Sequence, residues 1–197
     1  MSDLQKIKFS NTIRYYEIAK NSYENVEQLA ENRNNELKKQ PINHNQLIKH
    51  ANSVHNEAII TIVFCTMTLE SYINEYGITN SSRSFFQNHL EKLNLISKFT
   101  LIPRLNNKPE LKTDKQEFQN LKWLINLRND LTHYKIKEKD VVDIDMTKPI
   151  SQKDFILEEH AQKAIKTLEG TINILEPDKL EFFKSIITNK KTNANNV

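Results

Sequence analysis

Residues 58–69 read Ala-Ile-Ile-Thr-Ile-Val-Phe-Cys-Thr-Met-Thr-Leu, and they decide the fold. The run sits inside a longer periodic segment, from about His44 or Gln46 to Tyr76, whose middle is apolar nearly all round. A helix that turns no polar side to water must be surrounded by other elements, so this segment is expected to be the central helix of a bundle. Gly77 follows it and reads as a natural helix stop. At twelve residues with three threonines, the run is too short to span a bilayer, which takes about 20 apolar residues.

Upstream, Ile13, Tyr16, Ala19 (or Ile18), Tyr23, Val26, Leu29, Ala30 and Leu37 recur every three to four residues, predicting a long amphipathic helix over about Asn11 to Lys39. Pro41 and the Asn-rich stretch after it break the pattern. Downstream, Thr79 to Arg83 is rich in turn formers. Phe85, Phe86, Leu90, Leu93, Leu95, Ile96, Phe99, Leu101 and Ile102 then predict two short helices ended by Pro103 and Pro109. Thr113 or Asp114 is the expected cap of the next helix, with Asp114 and Glu117 favourable at its positive end. A further helix, from about Ser151 or Asp154 to Leu175, carries Phe155, Leu157, Ala161, Ala164, Ile165, Leu168, Ile172 and Leu175. Pro177 suits the first turn of a final short helix with Leu180, Phe182, Phe183 and Ile186. The expectation is an all-α chain: a helical bundle of four to five main helices with a short helical insertion. Residues 1–188 form a single domain and 189–197 a disordered polar tail.

Composition supports this. Two glycines and five prolines in 197 residues leave too little punctuation for a many-stranded fold. Net charge is +3 with a pI near 8.8, which permits a polyanionic partner without demanding one. The single cysteine, Cys65, lies in the apolar run and is expected to be a small buried side chain. Met1 to Lys6 shows no signal-peptide pattern, so a cytoplasmic location with no membrane partner is expected.

The chemistry concentrates in Leu124 to Lys135, Leu-Ile-Asn-Leu-Arg-Asn-Asp-Leu-Thr-His-Tyr-Lys. An apolar helix entered through Phe118, Leu121, Leu124 and Ile125 abruptly presents Arg128, Asn129, Asp130, Thr132 and His133. Arg128 is a permanent cation with a planar fork suited to phosphate, and His133 can exchange protons near neutrality. On one helix they stand about 140° apart and about 7.5 Å along the axis, a gap the long Arg side chain can sweep across. No Glu has His three residues on, and no two His stand at i, i+4, so a bundle-type metal site is not expected from His44, His50, His55, His89 or His160. No Gly-rich phosphate loop or nucleophile elbow is present, and no cofactor is expected.

Arg128-Asn129-x-x-x-His133 resembles the Arg-x4-6-His motif of HEPN domains (higher eukaryotes and prokaryotes nucleotide-binding), in which a polar residue, often Asn, follows the Arg. Leu69-Glu70-Ser71-Tyr72-Ile73-Asn74-Glu75 is similar to the Leu-Glu-x-x-Ile-Asn ending that many such domains carry upstream. The resemblance covers roughly Ala51 to Glu176. It implies a HEPN-like fold and a metal-independent endoribonuclease of toxin–antitoxin or phage-defence type, with a homodimer bringing two motifs to one cleft. Arg128, Asn129 and His133 would be catalytic. Glu70, Asn74 and Asp130 would support them, Glu70 and Asn74 being either a mutually satisfied pair or partners of Arg128. Tyr134, Lys135 and Lys137 are candidates to touch RNA, and a cognate antitoxin or other regulator is a candidate partner. The other function class is a non-catalytic helical module that binds a nucleotide or a partner protein. There Arg128 pairs with a carboxylate such as Asp130 or Glu70, and His133 caps its helix.

Overall fold

A computed structural model describes residues 11–132 and 158–194. These residues are all-α, with helices α1 (Thr12–Leu37), α2 (His44–Asn80), α3 (Arg83–Phe85, continued by a π-turn over Phe86–Leu90), α4 (Leu95–Leu105), α5 (Gln116–Thr132), α6 (Glu158–Leu175) and α7 (Pro177–Ala194). Helix α2 is the axis. It packs most extensively against α1 and also against α6, α5 and α4. Its Ala58, Ile62, Cys65, Leu69 and Ile73 are fully buried. The three threonines of the apolar run are buried without cost to hydrogen bonding, because each hydroxyl donates to the carbonyl four residues back: Thr61 to Glu57, Thr66 to Ile62 and Thr68 to Phe64. No helix among the described residues is long and apolar enough to cross a membrane.

The predicted stripe of α1 is present at Tyr16, Ala19, Val26 and Ala30, all buried, but Leu37 is 49% exposed in the last turn, past the reach of the core. Asparagine side chains cap two helices. The Asn43 side chain accepts from Gln46 N–H at the head of α2, and Asn94 accepts from Ser97 N–H at the head of α4.

Several boundaries differ from expectation. Gly77 does not stop α2: the helix continues to Asn80, and Gly77 is buried inside it. The glycine is there because the ring of Phe86 lies against it. A Cβ at this position would stand 2.5 and 2.6 Å from two ring carbons. Pro103 does not end its helix either. It lies buried within α4, which runs on to Leu105, since a proline withholds only its own N–H and the next residues still donate backward. Helix α5 begins at Gln116, not at a Thr113 or Asp114 cap; those two lie in the turn before it, where the Thr113 carbonyl accepts from the Gln119 side chain at 3.0 Å. Pro177 opens α7 as expected, but the helix is 18 residues long and its backbone passes Asn189 to reach Ala194. Extending a formed helix costs far less than nucleating one, so a polar stretch can follow a packed one. The expected start of α6 before Glu158 lies outside the described residues.

The insertion is thus a π-turn plus one helix, anchored to the end of α2 by Phe86, Leu90, Phe99 and Ile102, all buried. Burying a ring such as Phe86 contributes about 1.5–3 kcal/mol. This anchoring places α4 beside the last turns of α2, where Glu70 and Asn74 stand.

Candidate functional site

Helix α5 buries Phe118, Leu121, Leu124 and Ile125 against α2 and α6. Arg128 follows Leu121 by seven residues and Leu124 by four, so it occupies the next position of the core-facing stripe rather than the solvent face. There the stripe meets the end of α2, and the guanidinium finds Glu70. Arg128 Nη2 donates to Glu70 Oε2 at 3.3 Å, and Nη1 donates to Asn129 Oδ1 at 3.2 Å. The Arg128 side chain keeps 23% of its exposure and Glu70 keeps 48%. A long contact open to water is worth at most about 1 kcal/mol. Arg128 is therefore oriented from below but not consumed by its partner. Thr132 closes the helix end by donating to the Arg128 carbonyl at 2.9 Å.

Glu70 and Asn74 stand one turn apart on α2, and they do not bond to each other. Glu70 contacts Arg128, whereas Asn74 Oδ1 accepts from Lys98 Nζ on α4 at 2.8 Å. Lys98 is only 5% exposed. Burial pulls its ammonium below the ordinary lysine value, opposed by the negative charges of Glu70 and Glu91. Asp130 is exposed on α5, two residues and about 200° past Arg128, and has no hydrogen bond or ion pair among the described residues. The carboxylate beside Arg128 is thus Glu70 and not Asp130.

His133, Tyr134, Lys135 and Lys137 lie outside the described residues. The other histidines are dispersed: His50 bonds Gln46 at 3.3 Å, His89 packs on Phe85, and His160 stacks near Trp123. No group of three or more His, Cys, Asp or Glu converges to hold a metal among the described residues. Trp123 is half-buried, with the Lys163 ammonium 4.2 Å from its ring centre, a cation–π contact between α5 and α6.

Compared with known proteins, the chain matches no family model, no curated protein and no solved structure. What it can do must be read from its own residues.

Lys98 went unnoticed in the sequence, although a signal was there. It stands between Leu95 and Ile102, four residues before the latter and three after the former, on the apolar stripe of an amphipathic helix. A lysine in that position is either buried or misplaced. Elsewhere, a groove of about 530 Å³ runs between α1 and the start of α6. Glu27, Glu31, Glu158 and Glu159 outnumber Lys38 in its lining, so it is a poor site for a polyanion. Arg128, a partly exposed cation at the end of α2, offers the better approach for one.

Proposed function

We propose that the protein is a metal-independent endoribonuclease of HEPN type, acting through Arg128, Asn129 and His133 at a homodimer cleft, with a toxin–antitoxin or phage-defence role. The observation that carries this reading is the state of Arg128. A permanent cation takes a core-stripe position, is aimed by Glu70 and Asn129 through long, solvent-open contacts, and belongs to the helix whose sequence leads straight into His133.

Cleavage without a metal needs a base that takes the proton from the ribose 2′-OH. It needs a cation for the negative charge of the phosphorane, and an acid that protonates the departing 5′ oxygen. The 2′ oxygen forms the new P–O bond as the P–O5′ bond breaks, leaving a 2′,3′-cyclic phosphate and a 5′-OH. Histidine serves as base or acid, and arginine meets the phosphorane with its planar fork. One histidine cannot fill both proton roles in a single step, and a second copy of the motif supplies the other. Asn129 orients the phosphate or the guanidinium.

The second reading is a non-catalytic helical module binding a nucleotide or partner protein, favoured by the same Arg128–Glu70 contact taken as a purely structural ion pair. Purified wild type, His133→Ala and Arg128→Ala, incubated with total cellular RNA in excess EDTA, separate the two. On the ribonuclease reading the wild type yields cyclic-phosphate ends, and each variant loses about 10²-fold or more at unchanged helicity. Equal behaviour of all three supports the interaction module.

A further inference from the structure

One side chain of the insertion between α2 and α5 reaches the turn of α2 beside the site. Lys98 is nearly fully buried, yet its only hydrogen bond is to the neutral Asn74 amide, and it has no ion pair among the described residues. An ammonium buried against a neutral acceptor is a costly choice, and leucine or methionine would fill the same volume on the α4 stripe without that cost. Burial works against its charge, and the carboxylates that favour it are Glu70, one turn before Asn74 on the same face of α2, and Glu91. Glu70 is also the partner of Arg128. Two cations from two helices therefore reach the same face of α2, Arg128 on Glu70 at 3.3 Å and Lys98 on Asn74 one turn further at 2.8 Å.

We propose that Lys98 is a positioning residue for Arg128: by drawing on Glu70 from the α4 side, it keeps the Glu70 hold on the guanidinium loose enough for a substrate phosphate to replace it. This rests on the ribonuclease reading above. It assigns the insertion a task, which is to deliver a buried charge to the floor of the site. Without Lys98, Glu70 attracts Arg128 undiluted, and a phosphate must displace a tighter pair. Substrate binding then weakens while the chemistry, once Arg128 has turned, is unaltered; the loss falls on KM rather than kcat.

The test compares wild type, Lys98→Met, Lys98→Gln, Glu70→Gln and the Lys98→Met/Glu70→Gln double variant on a short oligoribonucleotide that the wild type cuts. Lys98→Gln keeps a donor for Asn74 without the charge, and replaces Lys98→Met if the latter fails to fold. Loss of the charge is expected to raise KM about five-fold, the scale of one partly exposed ion pair, with kcat little changed. In the Glu70→Gln background the same substitution is expected to leave KM unchanged, because the carboxylate through which Lys98 acts is gone. Rotation of the Arg128 guanidinium about its Nε–Cζ bond, followed by NMR with Arg128→Lys to assign the signal, gives a readout independent of cleavage. It is expected to slow in Lys98→Met and Lys98→Gln but not in the double variant. An unchanged KM, an equal effect with and without Glu70, or unaltered guanidinium rotation overturns the proposal. Failure of the ribonuclease reading shows separately, as cleavage absent from the wild type or indifferent to His133→Ala, and the rotation measurement then decides the role of Lys98 alone.

Discussion

Replacing Gly77 with alanine tests whether the end of α2 is held as described. The new Cβ meets Phe86 Cε2 and Cδ2 at 2.5 and 2.6 Å, with Ile102 Cδ1 at 3.3 Å behind them. Carbon atoms in favourable contact stand about 3.5–4.0 Å apart, so the ring must retreat by about 1 Å. Phe86 is 1% exposed and Ile102 fully buried, which leaves the ring no free direction. Overpacking of this kind costs about 1–3 kcal/mol, and removing a helix-interior glycine returns up to about 1 kcal/mol. The net is a loss of up to about 2 kcal/mol, or a fall in Tm of up to about 8 °C for a chain of this size. Gly170→Ala is the matched control: nothing lies within 4 Å of a Cβ there, so only the helix preference remains and Tm should rise by a few degrees. Thermal unfolding followed by circular dichroism reads both. The steric component should also shrink in a Phe86→Leu background, because the two sites touch. A Gly77→Ala protein as stable as Gly170→Ala would refute the packing of the insertion on α2, and with it the route by which Lys98 reaches the site.

Three further outcomes follow from the packing. Arg33 donates to Glu158 at 2.7 and 3.3 Å, which holds that carboxyl below its ordinary 4.5; the unfolded chain binds more protons in the window just below 4.5, so this contribution is complete above it and lost as pH falls through the lower folded value. Chemical denaturation across acidic pH should show that slope in the wild type and a weaker one in Glu158→Gln, with less than about 1 kcal/mol lost at neutral pH because the Glu158 side chain is 40% exposed. Cys65 is fully buried and its thiol is pushed up by burial, so a thiol-specific reagent should react with the native protein only at the rate of unfolding and titrate one group in denaturant. Tyr16 is fully buried and donates to Glu169 Oε1 at 2.9 Å; Tyr16→Phe should cost about 1 kcal/mol in denaturant unfolding, and no loss would mean that water satisfies Glu169 equally well.

Helical class and the central helix were legible at sequence level because they rest on periodicity, which local residues express directly. Ala58, Ile62, Cys65 and Leu69 announce burial wherever they are packed, and Tyr16, Ala19, Val26 and Ala30 mark the face of α1 by spacing alone. Arg128 drew notice by its type and its company. That it continues the Leu121–Leu124 stripe could have been read from the same spacing.

Partners were not legible. Glu70 and Asn74 share a helix face, yet one serves Arg128 on α5 and the other serves Lys98 on α4; which of two neighbouring polar groups meets which cation depends on how three helices cross, and no local pattern records it. Gly77 reads as a helix stop in a window of ten residues and proves to be a helix interior, because the ring that requires its missing Cβ comes from nine residues on and folds back over it. The sequence by itself determined which segments are helical and which of their faces seek one another, since both follow from side-chain periodicity and hydrophobic burial. Only the tertiary structure decided that an arginine of α5 meets Glu70 while a lysine of the insertion meets Asn74 one turn further on, since that depends on distances between chain segments far apart in sequence.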